Sequence, residues 1–222
     1  HTREAIDLSK RSGHSDLLLL CHIVLAKTFQ ATGSAEEALR AIHQAKRIAS
    51  RISSWTVITM DAREAELRSI LGDIPPATRW AQESGLSVED EPNFQDGIRY
   101  LALAQVLVAQ GKQSTGKSLG KTLEFLARLL KMAETAGAIH YVIQTLVLQA
   151  MALQAQGKEK QALDPLQSAF SLAEPEGYVR TFIDQGAPME ELLRLAAARG
   201  IATEYVNKLL VESGARTYGR MA

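Results

Sequence analysis

The chain of 222 residues is 46% hydrophobic and 23% charged, which suits an ordinary soluble globular protein and excludes an intrinsically disordered one. Its 25 Lys plus Arg balance its 25 Asp plus Glu, so no net basic field draws it onto nucleic-acid phosphates. Cys21 is the single cysteine, which rules out an intrachain disulfide and fits a buried thiol in the cytosol. No apolar run approaches the ~18 residues that span a bilayer, and no signal peptide is visible.

Thr2 to Ser12 carries a helical pattern with no partner before it, which reads as the second half of a hairpin, and a start at His1 rather than Met predicts a fragment. Asp16 to Thr32 is the first complete leading helix. Gly33 and Ser34 form its turn, and Ser34 stands three residues before Glu37, the spacing of a capping box. The returning helix, Ala35 to Arg51, puts Ala38, Leu39, Ile42, Ala45 and Ala49 on one stripe at the spacing of a packed face. Ser54 to Leu71 leads again, with Glu64 and Arg68 at i, i+4 as surface support. Pro75 and Pro76 are tolerated in a first turn but not in an interior, so the next helix begins near Pro76 and ends by Gly85.

Leu86 to Asn93 is acidic, contains Pro92 and reads as a loop. Asp96 to Gly111, DGIRYLALAQVLVAQG, is the clearest leading helix, and Leu119 to Ala136 returns from it. Ile139 to Gln156 and Lys158 to Ala173 form the last full hairpin. After Glu174 the pattern changes: Pro175, Gly177, Gly186 and Pro188 cut the chain into short helices near Tyr178 to Asp184, Met189 to Ala198 and Thr203 to Glu212. ARTYGRMA reads as a tail.

The hairpins repeat. Their turn glycines, Gly33, Gly72, Gly111 and Gly157, lie 39, 39 and 46 residues apart, a period typical of helical repeats. Seven residues before each stands an alanine (Ala26, Ala65, Ala104, Ala150), and five after come Ala38, Ala77, Gly116 and Ala162. Small residues at a fixed helix crossing let one helix lie close in the groove of the next. The expected fold is therefore all-α, a right-handed α-solenoid of helical hairpins over residues 1–174, with atypical capping helices at 175–214 and a tail or linker at 215–222.

One motif points elsewhere. Gly111 to Ser118, GKQSTGKS, fits the phosphate-loop pattern, in which backbone amides cradle phosphates, Lys117 neutralises them and Ser118 holds magnesium. That loop leaves a strand, whereas Ile98 to Gln110 has helical periodicity, so the segment reads as an exposed turn lengthened by about six residues. A P-loop NTPase is the alternative function. The histidines His1, His14, His22, His43 and His140 lack metal-ligand spacing, and the adjacent acids Glu36 and Glu37, or Glu190 and Glu191, suit helix starts rather than acid–base chemistry. No enzyme activity is expected. Trp55, Trp80, Tyr100, Phe125, Tyr141 and Phe170 sit at helical spacing and read as packing residues.

Two stretches, GLSVEDEPNFQDGIRYLALAQVLVAQGK and AFSLAEPEGYVRTFIDQGAPMEELLRLAAARGIATEYVNKLL, resemble the sensor region of LuxR-family, MalT-like ATP-dependent transcriptional regulators of bacteria. The resemblance implies a superhelix of tetratricopeptide-like (TPR-like) hairpins that senses a small-molecule inducer or a peptide or protein effector and self-associates. The family's nucleotide-binding and helix-turn-helix domains are absent from this stretch, so no cofactor, no direct nucleic-acid contact and no membrane contact are expected of it. A scaffold without small-molecule sensing is a further alternative. By resemblance to TPR units, the positions 13, 10, 6, 3 and 2 before each turn glycine face the concave groove. The polar ones are Lys27, Gln30, Thr59, Glu66, Ser69, Gln105, Gln144 and Gln154; the apolar ones are Leu20, Ile23, Ile98, Leu101, Val108, Val147 and Met151. So many amides and so few charges suit a neutral polar ligand or an extended peptide better than a highly charged anion.

Overall fold

The structure is a computed structural model and describes residues 2–113 and 119–219. Among these the chain forms helices and no strand: α1 (Thr2–Ser12), α2 (Ser15–Ala31), α3 (Ala35–Ala49), α4 (Ser54–Leu71), α5 (Ile74–Glu83), α6 (Gly97–Gln113), α7 (Leu119–Thr135), α8 (Ile139–Ala155), α9 (Glu159–Ala173), α10 (Arg180–Ile183), α11 (Ala187–Ala198) and α12 (Thr203–Gly219). Each helix packs on its neighbour in sequence through α9, and the leading helices α4, α6 and α8 also lie side by side. This is an all-α, TPR-like solenoid.

The alanines make the stacking close. Ala38, Ala77, Ala104, Ala150 and Ala162 are fully buried, and Ala26 and Ala65 are 2% exposed, so backbones approach where a larger side chain would hold them apart. Gly72 ends α4 in the left-handed region at φ 82°, and the N–H of Asp73 donates to the carbonyl of Arg68 at 2.9 Å, closing the helix as a Schellman turn does. Ser53 opens the same helix by accepting from the N–H of Thr56 at 3.1 Å.

Several expectations need correction. Gly111 does not stop its helix: α6 runs on to Gln113, and Gly111 lies against the Leu119 side chain, where an added Cβ would collide. Its role is close packing rather than left-handed freedom. Ser34 makes no capping bond from its side chain, and Glu37 instead pairs with Arg40 at 2.8 Å. Trp55 is 40% exposed, with the Arg99 guanidinium 6.0 Å from its ring centre, so it is no core residue. Cys21 is only half-buried. The final helix, expected to end at Glu212, continues to Gly219.

The long segment 84–96 is held down by arginines. Arg99 donates to the carbonyl of Ser84 at 2.9 Å, Arg128 donates to those of Val88 and Asp90, and Lys121 pairs with Glu89 at 2.7 Å. Satisfying these carbonyls with guanidinium groups lets an irregular stretch pack on α6 and α7.

Two kinds of core result. From α6 onward one cluster contains Phe125, Leu126, Leu129, Ile143, Phe170 and Phe182 and extends through α11 into α12. In the first half the buried clusters are small: Ala26, Ala38, Ala41, Ile42 and Leu67 in one, Ala45, Ala49 and Met60 in another. Ala65, Ala77 and Val106, flanked by Trp80 and Ala81, join the halves at α4, α5 and α6.

Candidate functional site

A cavity of about 330 Å³ opens in the groove where the two halves face each other. Its near wall comes from α2 (Lys27, Thr28, Gln30) and α4 (Glu66, Ile70), and its far wall from α6 (Leu101, Gln105) and α8 (His140, Gln144, Val147). α10 and the residues after it close the end with Arg180, Thr181, Asp184 and Gln185. The closure is long-range: Arg180 Nη2 donates to the carbonyl of Lys27 at 3.0 Å across 153 residues of chain. A smaller cavity of about 40 Å³ between α2 and α4 shares Lys27, Gln30, Glu66 and Ile70 with the larger one.

Four glutamines set its polar character. Gln105 is only 5% exposed, yet neither it nor Gln30, Gln144 or Gln185 makes a side-chain hydrogen bond to any described residue. Gln185 Oε1 is fully buried and unpartnered. Elsewhere Gln110 donates to Thr78 Oγ1 at 2.7 Å and Gln154 to Glu191 at 3.1 Å, while the Oε1 atoms of Gln154 and Gln156 are, like that of Gln185, buried without a hydrogen-bond partner among the described residues. Leaving a buried amide oxygen such as that of Gln185 without a partner costs roughly 1–3 kcal/mol.

The charges around the cavity are largely committed. Glu66 pairs with Arg63 at 3.2 Å and Asp184 with Arg180 at 3.1 Å. His140, stacked on Tyr178 with ring centres 6.0 Å apart, is pushed below the usual histidine range by burial and then by the positive charges of Lys27 and Arg63, with Glu66 opposing. It therefore enters the wall as a neutral imidazole near neutral pH, able to donate at one nitrogen and accept at the other.

Of the eight polar residues expected in the groove, Lys27, Gln30, Glu66, Gln105 and Gln144 line this cavity together. Three lie elsewhere. The Thr59 hydroxyl donates to the Trp55 carbonyl at 3.0 Å, Ser69 is buried and donates to the Ala65 carbonyl at 2.8 Å, and Gln154 faces Glu191. Among the apolar seven, Leu101 and Val147 line the cavity, Ile23 borders the smaller one, and Val108 and Met151 are core residues. The repeat offsets could not find Arg180, Thr181, Asp184 and Gln185, because that segment follows no repeat and reaches the groove from the far end of the chain. His140 opens α8 one residue after Ile139, too early in the helix for those offsets.

The phosphate-loop alternative has the wrong approach. Gly111 to Gln113 belong to a helix rather than the turn after a strand, and Ser114 to Ser118 lie outside the described residues. Among the described residues no cluster of His, Cys, Asp or Glu could hold a metal ion. No helix among them is long and apolar enough to cross a membrane.

Comparison with protein families matches residues 1–199 to the MalT-like TPR region. A search of curated proteins returns no match.

Proposed function

The chain belongs to the family of MalT-like TPR regions, and from that premise we propose that it is the effector-sensing and interaction module of a LuxR-family bacterial transcriptional regulator working in the cytoplasm. The observation that carries this reading is the cavity between the halves, with four glutamines whose side chains make no hydrogen bond to a described residue. Such a site is concave and holds convergent polar groups above an apolar floor, as small-molecule sites do. A ligand that bonds α2 and α4 on one side and α6, α8 and α10 on the other ties the two ends of the solenoid together. Its binding energy then biases how the halves sit, which is what a sensor needs in order to transmit occupancy. Balanced charge gives this chain no role in holding DNA.

Gln105→Ala combined with Gln144→Ala tests the reading. The double variant weakens the effector response of the whole regulator at least about tenfold, as expected for losing two ligand hydrogen bonds, and leaves the melting temperature of this chain nearly unchanged. A variant that responds normally moves the effector site off this cavity.

A further inference from the structure

The cavity's chemistry narrows its occupant, given the reading above that this is the effector site. Both lining carboxylates are already neutralised, Glu66 by Arg63 and Asp184 by Arg180, so neither is left for an ammonium group on a ligand. The Lys27 ammonium is the cation left over: it makes no ion pair with the described residues, and it lies close enough to His140 to depress that imidazole's affinity for a proton. Three neighbouring carboxamides, on Gln30, Gln105 and Gln144, each offer two N–H donors and a carbonyl acceptor, and Gln185 adds a buried acceptor. A carboxamide pairs most completely with another amide, donor to acceptor and acceptor to donor. Among the described residues no Phe, Tyr or Trp lines the space, and the His140 ring is already stacked on Tyr178, which leaves no broad apolar face on which a sugar ring can lie. Leu101, Val147 and Ile70 leave room for small aliphatic groups.

We propose that the cavity binds a small monocarboxylate that carries amide bonds and no free amine, of the class of an N-acylated amino acid or N-blocked dipeptide. Its carboxylate sits against Lys27, and its amides bridge the glutamines of α2, α6 and α8. One negative charge meets one uncommitted positive charge, and the neutral remainder offers hydrogen bonds to glutamine side chains that make none to the described residues.

The test uses the 222-residue chain and three probes: N-acetyl-dialanine, its C-terminal amide, and sucrose. Binding is followed by calorimetry and by the glutamine side-chain N–H signals in NMR, with Lys27→Gln and Gln105→Met as variants. The proposal expects the free acid to bind about three- to fivefold more tightly than the amide, the scale of an ion pair to an exposed lysine. Lys27→Gln removes that advantage without shifting the melting temperature, and Gln105→Met weakens both peptides. Equal binding of acid and amide, or an advantage that survives Lys27→Gln, overturns the carboxylate assignment. Sucrose binding more tightly than both peptides, in a manner dependent on Gln105, overturns the ligand class and leaves the cavity as the effector site. If no probe moves the Gln105 side-chain signals, the effector reading of the cavity falls and the proposal falls with it.

Discussion

From α6 onward one apolar core runs unbroken, with Phe125 and Phe182 fully buried and Phe170 at 1% exposure, whereas α1 to α4 enclose only small, alanine-rich clusters. The first half also leaves Leu8, Leu17, Leu20 and Val24 each at least 45% exposed. Large side chains bury more area per residue and add close contacts, so the second half carries most of the stability. The cavity lies on the seam, with a firm wall of α6 and α8 facing a lighter wall of α2 and α4. A binding site built this way moves one wall against the other at low cost, since local opening follows the density of apolar contacts.

The strongest challenge to that contrast is to cut each core. Phe182→Ala should destabilise the chain by about 3–5 kcal/mol, at the upper end of core truncations, because Phe170 and Tyr205 pack on its ring at 5.3 and 6.0 Å between centroids. Met60→Ala, in an alanine-lined cluster that closes more readily, should cost about 2 kcal/mol. Urea denaturation compares the two, and equal losses would erase the distinction between the halves.

The first half compensates with charge. Glu64 accepts from Lys46 at 2.7 Å, His43 at 3.1 Å and Arg68 at 2.9 Å, making it a hub between α3 and α4 rather than surface decoration. Burial alone would raise its pKa, but the hydrogen bonds from Lys46, Arg68 and His43 outweigh it and hold the carboxyl down to about 2. A depressed carboxylate contributes stability that is fully present above its ordinary value of 4.5 and is lost as pH falls through about 2. Glu64→Gln should therefore cost about 2 kcal/mol at pH 7 and progressively less below pH ~4. Denaturation curves at pH 7 and pH 3 decide it, and a loss independent of pH would refute the hub.

A smaller effect of opposite sign sharpens the contrast. Lys112, at the end of α6 in the firm half, is pushed down to about 8 by burial, only partly opposed by Glu191. A lysine whose folded pKa lies below its unfolded one opposes folding while it must be charged, and the penalty is relieved as pH rises from about 8 towards 10.5. Lys112→Met should stabilise the chain by about 1–2 kcal/mol at pH 7 and by less at pH 10. A destabilised variant would mean that its charge is needed where it sits.

Much of the fold is legible in residue spacing: alanines seven before the glycines, and alanines five after Gly33, Gly72 and Gly157, report a helix crossing, and Gly72 and Gly157 end their helices where the pattern places them. Gly111 misled because glycine serves both as a stop and as a place for a close neighbour, and only Leu119 packing over it shows which. The α2, α4, α6 and α8 contributions to the cavity follow from the repeat. The α10 contribution does not, since no local pattern tells that Arg180 returns to Lys27.

The account turns on Gln105, a residue 5% exposed on the wall between the halves, whose side chain makes no hydrogen bond to a described residue. The most direct measurement is the thermal stability of Gln105→Met in the unliganded chain. If the amide is held for a ligand rather than for the fold, replacing it with an apolar side chain of similar length breaks no hydrogen bond to a described residue, and the variant melts at the same temperature or higher, by up to about 1 kcal/mol of added stability. A loss of about 2 kcal/mol or more would show that the fold itself uses this amide, and would contradict the assignment of the cavity as a binding site.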